Sequence, residues 1–294
     1  MRGKRTTFPG FVTPAILLAP QLAITLVFFV WPAAQSLRGS LFQQDPFGFS
    51  EQFVGLDNFV TLLRQPDYLY AIGLTIVFAL AVTVLSMGFA LLFAALADGV
   101  VRGARLYASL LTWPYAVAPA IAGVLWWFLF NPSIGIMARA LQAIGIPWNH
   151  FLNGGQALTL VIVATAWKQI SYNFLFFLAG LQAIPRSLLE AASLDGAGGY
   201  VRFRCIVLPL LMPTTFFLAI TNLVYAFCDT FGVIHATTAG GPGNATTTLV
   251  FKIFRDGFES MELGSSSAQS VVLMVLVGIL TVMQFRYIER TIHY

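Results

Sequence analysis

Residues 185–213 read PRSLLEAASLDGAGGYVRFRCIVLPLLMP, and the rest of the chain is arranged around them. Long apolar runs lie on both sides. Within the stretch, Leu188, Ala191 and Ala192 recur at three- and four-residue spacing, with Leu194 close to the same stripe. Arg186, Glu190 and Asp195 flank them, which predicts a short amphipathic helix over 186–194. Pro185 and Ser187 suit its start, and Gly196 suits a stop in the left-handed region. A helix this short is marginal in water and needs a surface to lie on. The plainer alternative is a loop helix that packs only on its own bundle.

Outward from this stretch the chain is a membrane protein. It has 294 residues, 58% hydrophobic and 10% charged, with a mean hydropathy of +0.80. Soluble domains carry about 25% charged residues, so the deficit leaves no room for a separate soluble domain. The apolar runs predict six spans, at about 13–37, 70–97, 106–130, 157–181, 210–234 and 265–285. The fold class is therefore an all-α membrane protein, a six-helix domain over 13–285 with short tails at 1–12 and 286–294. The first run is too long for a signal peptide, whose apolar region is about 7–15 residues, and it reads as an uncleaved span. Pro114 and Pro119 are expected to kink the third span.

Charge orients the bundle. Six spans put both termini on one side, together with the 98–105 loop and the 185–209 loop. That side holds Arg2, Lys4, Arg5, Arg102, Arg105, Arg186, Arg202, Arg204, Arg286 and Arg290. The other side holds only Arg38, Arg64, Arg139, Lys252 and Arg255. The bias predicts cytoplasmic termini and a cytoplasmic 185–209 loop. The net charge of +4 is thus a matter of topology, because no basic run with interleaved aromatics suggests nucleic acid.

Other chemistries leave no trace. The sequence contains no G-x-x-x-x-G-K-[ST], so it lacks that route to ATP hydrolysis. There is no His-Glu-x-x-His, no Gly-x-Ser-x-Gly and no close pair of intramembrane carboxylates. His150, His235 and His293 are scattered, so no metal site is expected. Cys205 and Cys228 fall too far apart along one helix to bridge.

Within the opening stretch, Glu190-Ala191-Ala192, Gly196 and Ile206-x-Leu208-Pro209 form the pattern EAA-x3-G-x9-I-x-LP. It resembles the EAA loop of the membrane subunits of binding-protein-dependent ABC importers. The resemblance implies a type I importer permease fold in which Arg186, Leu188, Glu190, Ala191, Ala192, Asp195 and Gly196 dock on an ATPase subunit. Further segments are similar to the first permease subunits of the sn-glycerol-3-phosphate and glycerophosphodiester branch, which includes importers of glycerophosphocholine. They are DPFGFSEQFVGLDNFVTLL (45–63), PYAVAPA (114–120), WKQISYNFLFF (167–177), NLVYAFCDTF (222–231) and AQSVVLM (268–274). This implies a non-catalytic subunit in a bacterial cytoplasmic membrane. Its partners would be a sibling permease, two ATPase copies that hold ATP and Mg, and an extracytoplasmic binding protein. No cofactor is expected on this chain. A permease for a di- or oligosaccharide is the alternative within the superfamily, and an ion-driven carrier or membrane enzyme is the rival outside it.

Polar residues inside the spans are the candidates for a substrate path. Lys168 lies near the middle of the fourth run, where an ammonium costs about 2.5–3.5 kcal/mol to insert. Gln169 and Asn173 follow it. Asn222, Tyr225 and Asp229 fall at i, i+3 and i+7, on one stripe of the fifth. The same residues also suit inter-helix hydrogen bonding, and Lys168 has Asp229 as a possible partner across about 9 Å of height. The glycines of TTAGGPG (237–243) suit tight turns.

Overall fold

A computed structural model describes residues 12–45, 50–98 and 104–291. Most of them are helical, and five helices are long and apolar enough to cross a membrane: Pro14–Gly39, Pro66–Asp98, Gly154–Gln182, Gly199–Cys228 and Leu263–Tyr287. A sixth crossing is made if the bent pair Leu106–Ala116 and Pro119–Phe130 counts as one. The expected tail 1–12 and the loop residue Arg102 lie outside the described residues, apart from Val12.

The chain falls into two compact units. The first comprises residues 1–64 and 255–272. Its long helix Pro14–Gly39 exposes its apolar side chains, Phe28 and Phe29 among them. The next loop forms a hairpin, Phe42–Gln44 against Glu51–Phe53, with Phe42 opposite Phe53. Their rings meet edge to face at 5.3 Å, and Arg38 closes the hairpin through Glu51 at 2.8 Å. Asn58, on the helix Asp57–Arg64, donates to the carbonyls of Ser40 and Phe42.

The second unit comprises residues 65–254 and 273–294 and holds the core. Phe78 and Val82 of Pro66–Asp98 pack with Val161 and Ala164 of Gly154–Gln182, with Ala226 and Phe227, and with Val233 and Ile234. Towards the 185–209 loop a second cluster joins Ala90, Ala94, Phe174, Phe177 and Leu218. Gly180 lets the fourth span lie against Leu211, where an added Cβ would stand 2.8 Å from Leu211 Cδ2.

Two expectations from the sequence are corrected. The third span is broken rather than kinked, with its halves at 103°. Pro119 keeps Ala118 out of the helical region, at φ −59° and ψ 142°, and Val117 is extended as well. Pro119 then starts the next helix at a position that needs no N–H. The fifth helix runs Gly199–Cys228 rather than 210–234. Pro209 does not begin it, because a π turn over Phe203–Val207 shifts the ladder ahead of the proline, with the Leu208 N–H on the Phe203 carbonyl. The helix stops before Asp229, and Phe231–Thr237 forms a separate short helix. At the C-terminus, helix continues to Thr291.

Candidate functional site: a cavity at the broken span and the exposed 186–194 helix

The helix at the centre of the sequence runs Arg186–Leu194, capped by Pro185. Its end is a Schellman turn: the Ala197 N–H reaches the Ala192 carbonyl at 2.9 Å and the Gly196 N–H reaches Ser193 at 3.1 Å. Gly196 has φ +79°, as its place after the helix predicts. None of the helix is fully buried. Leu189, which the predicted stripe omits, turns inward to a cluster of Ile184, Val207, Leu211, Leu91 and Leu181. Leu188, Ala191 and Leu194 face outward, Leu194 at 90% exposure, and Tyr200 and Val201 extend the exposed apolar surface. Arg186, Glu190 and Asp195 are exposed beside it, and Ala192 is half-buried. One leucine anchors the helix and its apolar stripe is left uncovered.

A cavity of about 600 Å³ opens at the break in the third span. Its walls are Tyr115 to Pro119 of the break, Lys168, Gln169 and Tyr172 of the fourth span, and Thr221, Val224, Tyr225 and Asp229 of the fifth. Lys168 is 6% exposed, and its Nζ donates to the Val117 carbonyl. The break frees that carbonyl from any helical ladder, and in a bilayer it needs a donor. Lys168 supplies one. Among the described residues no ion pair reaches Lys168 or Asp229, so the alternative of a pair between them is not realised. Gln169 is 5% exposed and its carboxamide makes no hydrogen bond among the described residues. The Tyr225 hydroxyl is buried without a partner. Tyr115 and Tyr172 stack at 5.8 Å on the wall.

The cavity therefore gathers Lys168, Gln169, Tyr225 and Asp229 from the predicted set. It does not include Asn173 or Asn222. Both are fully buried and bonded to each other and to Ser86. Tyr115, Tyr172 and Thr221 are lining residues that the sequence did not single out. The Pro114 and Pro119 pair beside Tyr115, and the i, i+4 spacing of Lys168 and Tyr172, are the signals for two of them.

Residues 103–294 match the family of the binding-protein-dependent transport system inner membrane component. The chain is 56% identical over 291 residues to the sn-glycerol-3-phosphate transport system permease protein UgpA of Brucella abortus, covering 99% of both chains. The Escherichia coli protein of the same name, from strain UTI89, is 57% identical over 294 residues, covering 100% of both. The chain belongs to this family of membrane permeases. Among solved structures, the permease resembles a chain of a bacterial alginate ABC transporter bound to a pentasaccharide-loaded periplasmic protein. The TM-score is 0.79 at 21% identity, over 93% of this chain and 92% of that one. At that identity the likeness speaks for the fold alone, which is that of a type I importer permease.

As a permease the chain is a non-catalytic transport subunit. A buried ammonium, a free carboxamide and unpaired phenols suit an anionic, hydroxyl-bearing solute. The single carboxylate, Asp229, is exposed.

Proposed function

We propose that this permease, paired with a sibling permease, forms the path for sn-glycerol-3-phosphate or a glycerophosphodiester such as glycerophosphocholine. A buried Lys168 with no carboxylate partner, in a cavity at a broken span, is the observation that carries this reading. A phosphate supplies the missing counter-charge, and Gln169, Tyr172 and Tyr225 offer groups for glycerol hydroxyls. The names and full-length identity of the relatives support the same substrate class.

The energy comes from a separate ATPase dimer that binds ATP and Mg. It grips the exposed face of Arg186–Leu194, with Glu190 contributing charge and Gly196 the turn. Closing of the ATPases moves this helix, the paired permeases open outward, and an extracytoplasmic binding protein delivers solute. Hydrolysis returns them inward. The complex sits in the bacterial cytoplasmic membrane with both termini and the 185–209 loop in the cytoplasm, a reading supported by the bias of arginine and lysine.

The test is uptake of labelled sn-glycerol-3-phosphate by proteoliposomes that hold the whole complex and receive loaded binding protein. ATP-dependent accumulation, inhibited by glycerophosphocholine and not by maltose, is the expected result. Accumulation of a neutral disaccharide instead rejects the substrate class and leaves the importer intact.

A further inference from the structure

Asn173, Asn222 and Ser86 come from three different spans, and none has any exposed surface. Their hydrogen bonds close on one another. Asn222 Nδ2 donates to Asn173 Oδ1 at 2.7 Å and to the Leu218 carbonyl at 2.7 Å. Asn173 Nδ2 donates to Asn222 Oδ1 and to Ser86 Oγ, each at 3.1 Å. Ser86 Oγ lies 3.1 Å from Asn222 Oδ1 and 3.3 Å from the Thr83 carbonyl. Both amides thus have all their N–H groups engaged. A network satisfied in this way exists in one register only. Sliding any of the three helices by a turn leaves several amide groups unpaired in a place without water.

The position of this node matters as much as its chemistry. The fourth and fifth spans both lead from the coupling segment to the cavity: on the fourth the node lies between the two, and on the fifth it stands at the cavity's near edge, where Thr221 lines the cavity next to Asn222. On the fourth, Asn173 is nine residues from Gln182 and five from Lys168, or roughly 13 Å and 8 Å. On the fifth, Asn222 is three residues short of Tyr225. The same three helices meet again at the foot, where Leu189 packs beside Leu91, Leu181 and Leu211. Phe174, Phe177 and Leu218 fill the space between foot and node.

We infer that the Ser86–Asn173–Asn222 node locks the second, fourth and fifth spans into one rigid lever, which carries displacement of the coupling helix to the cavity. The three are positioning residues and touch no substrate. The inference rests on the proposed roles of the coupling segment and the cavity.

The experiment measures ATP hydrolysed per solute imported, and ATPase stimulation by the binding protein, in proteoliposomes of the full complex. Wild type is compared with Asn173→Ala, Asn222→Ala, the double variant and Ser86→Ala. The lever predicts at least a fivefold rise in ATP per solute in each asparagine variant. It also predicts a double variant no worse than the singles within twofold, because the node fails as a unit. Ser86→Ala, close to isosteric and able to assemble even if the asparagine variants do not, should raise the ratio two- to threefold. A purely structural role lowers uptake only in proportion to assembled complex, with ratio and stimulation unchanged, and that result overturns the inference. So does a double variant whose defect is the product of the singles. Wild-type complex that shows stimulated ATPase without sn-glycerol-3-phosphate uptake counts against the substrate alone, since stimulation still reads the lever.

Discussion

Replacing Lys168 by methionine keeps the unbranched stem, one heavy atom shorter, and removes its charge. Two effects act in opposite directions. Insertion improves, because an ammonium at mid-span costs about 2.5–3.5 kcal/mol, so the variant should reach the membrane at least as well as wild type. The Val117 carbonyl at the break loses its donor, which costs about 1–3 kcal/mol where water cannot replace it. These nearly cancel in assembly. Substrate binding has no such compensation. A charge-assisted hydrogen bond from Nζ to a phosphate is worth about 1.5–3 kcal/mol, and each 1.4 kcal/mol is tenfold. Uptake of sn-glycerol-3-phosphate at subsaturating loaded binding protein should therefore fall roughly 10- to 150-fold, with normal complex yield. Lys168→Arg, which keeps the charge, should retain more uptake than methionine. Wild-type uptake by Lys168→Met would remove the cavity from the substrate path. Loss of assembly with normal uptake per complex would assign Lys168 to the break alone.

Other outcomes follow from single positions. Gly196→Ala meets open space but must hold φ +79°, a strain of about 1–2 kcal/mol for an L residue. The coupling helix should loosen at its end, and ATPase activity should persist while uptake falls, as should also occur for the exposed Glu190→Lys; coupled uptake in both argues against the docking role. Gly123 faces Ala236 Cβ at 2.8 Å and the Val233 carbonyl at 3.0 Å from a built Cβ, so Gly123→Val overpacks the broken span against Phe231–Thr237 by about 1–3 kcal/mol. A lower midpoint of thermal unfolding is expected, and an unchanged midpoint contradicts that packing. His150, outside the spans, is buried beside Trp148 and Phe151; burial pushes its imidazole below the usual value, partly offset by the Phe130 carbonyl. Its loop should be fully stable above about pH 6.5 and weaken as pH falls through the lowered value, where the unfolded loop takes the proton first. Proteolysis of the 143–153 loop at pH 7.5 and 5.5 should show this in wild type and much less in His150→Phe.

The helix Arg186–Leu194 was readable because its signals are local: a proline before it, a three-four apolar spacing and a glycine after it. Its facing was only partly so. Leu189 lies off the apparent stripe, and only the neighbouring helices decide that it is the anchor. The break at Pro119 shows a similar limit. Two prolines announce a distortion, but whether the helix bends or parts depends on a donor for the released carbonyl, and that donor is 51 residues away in sequence. The early start of the fifth helix was not legible either, since a π turn over Phe203–Val207 carries the helix into Pro209. Asn222, Tyr225 and Asp229 do share one face by helical angle. They separate because Ser86 of another span meets Asn222, and nothing in the sequence distinguishes Ser86 from any other serine in an apolar run.

The most direct measurement is contact between the coupling helix and the nucleotide-hydrolysing partner in the intact assembly. Cysteines placed singly at Leu188, Leu194 and Glu190, in a chain with Cys205 and Cys228 replaced by serine, are paired with a short photo-crosslinker on purified complex in nanodiscs. Cross-links from all three to the ATPase subunit, changing in yield when ATP is added, are the predicted result. Cross-links only to the permease's own bundle or to its sibling, in a complex that still hydrolyses ATP and transports, would contradict it.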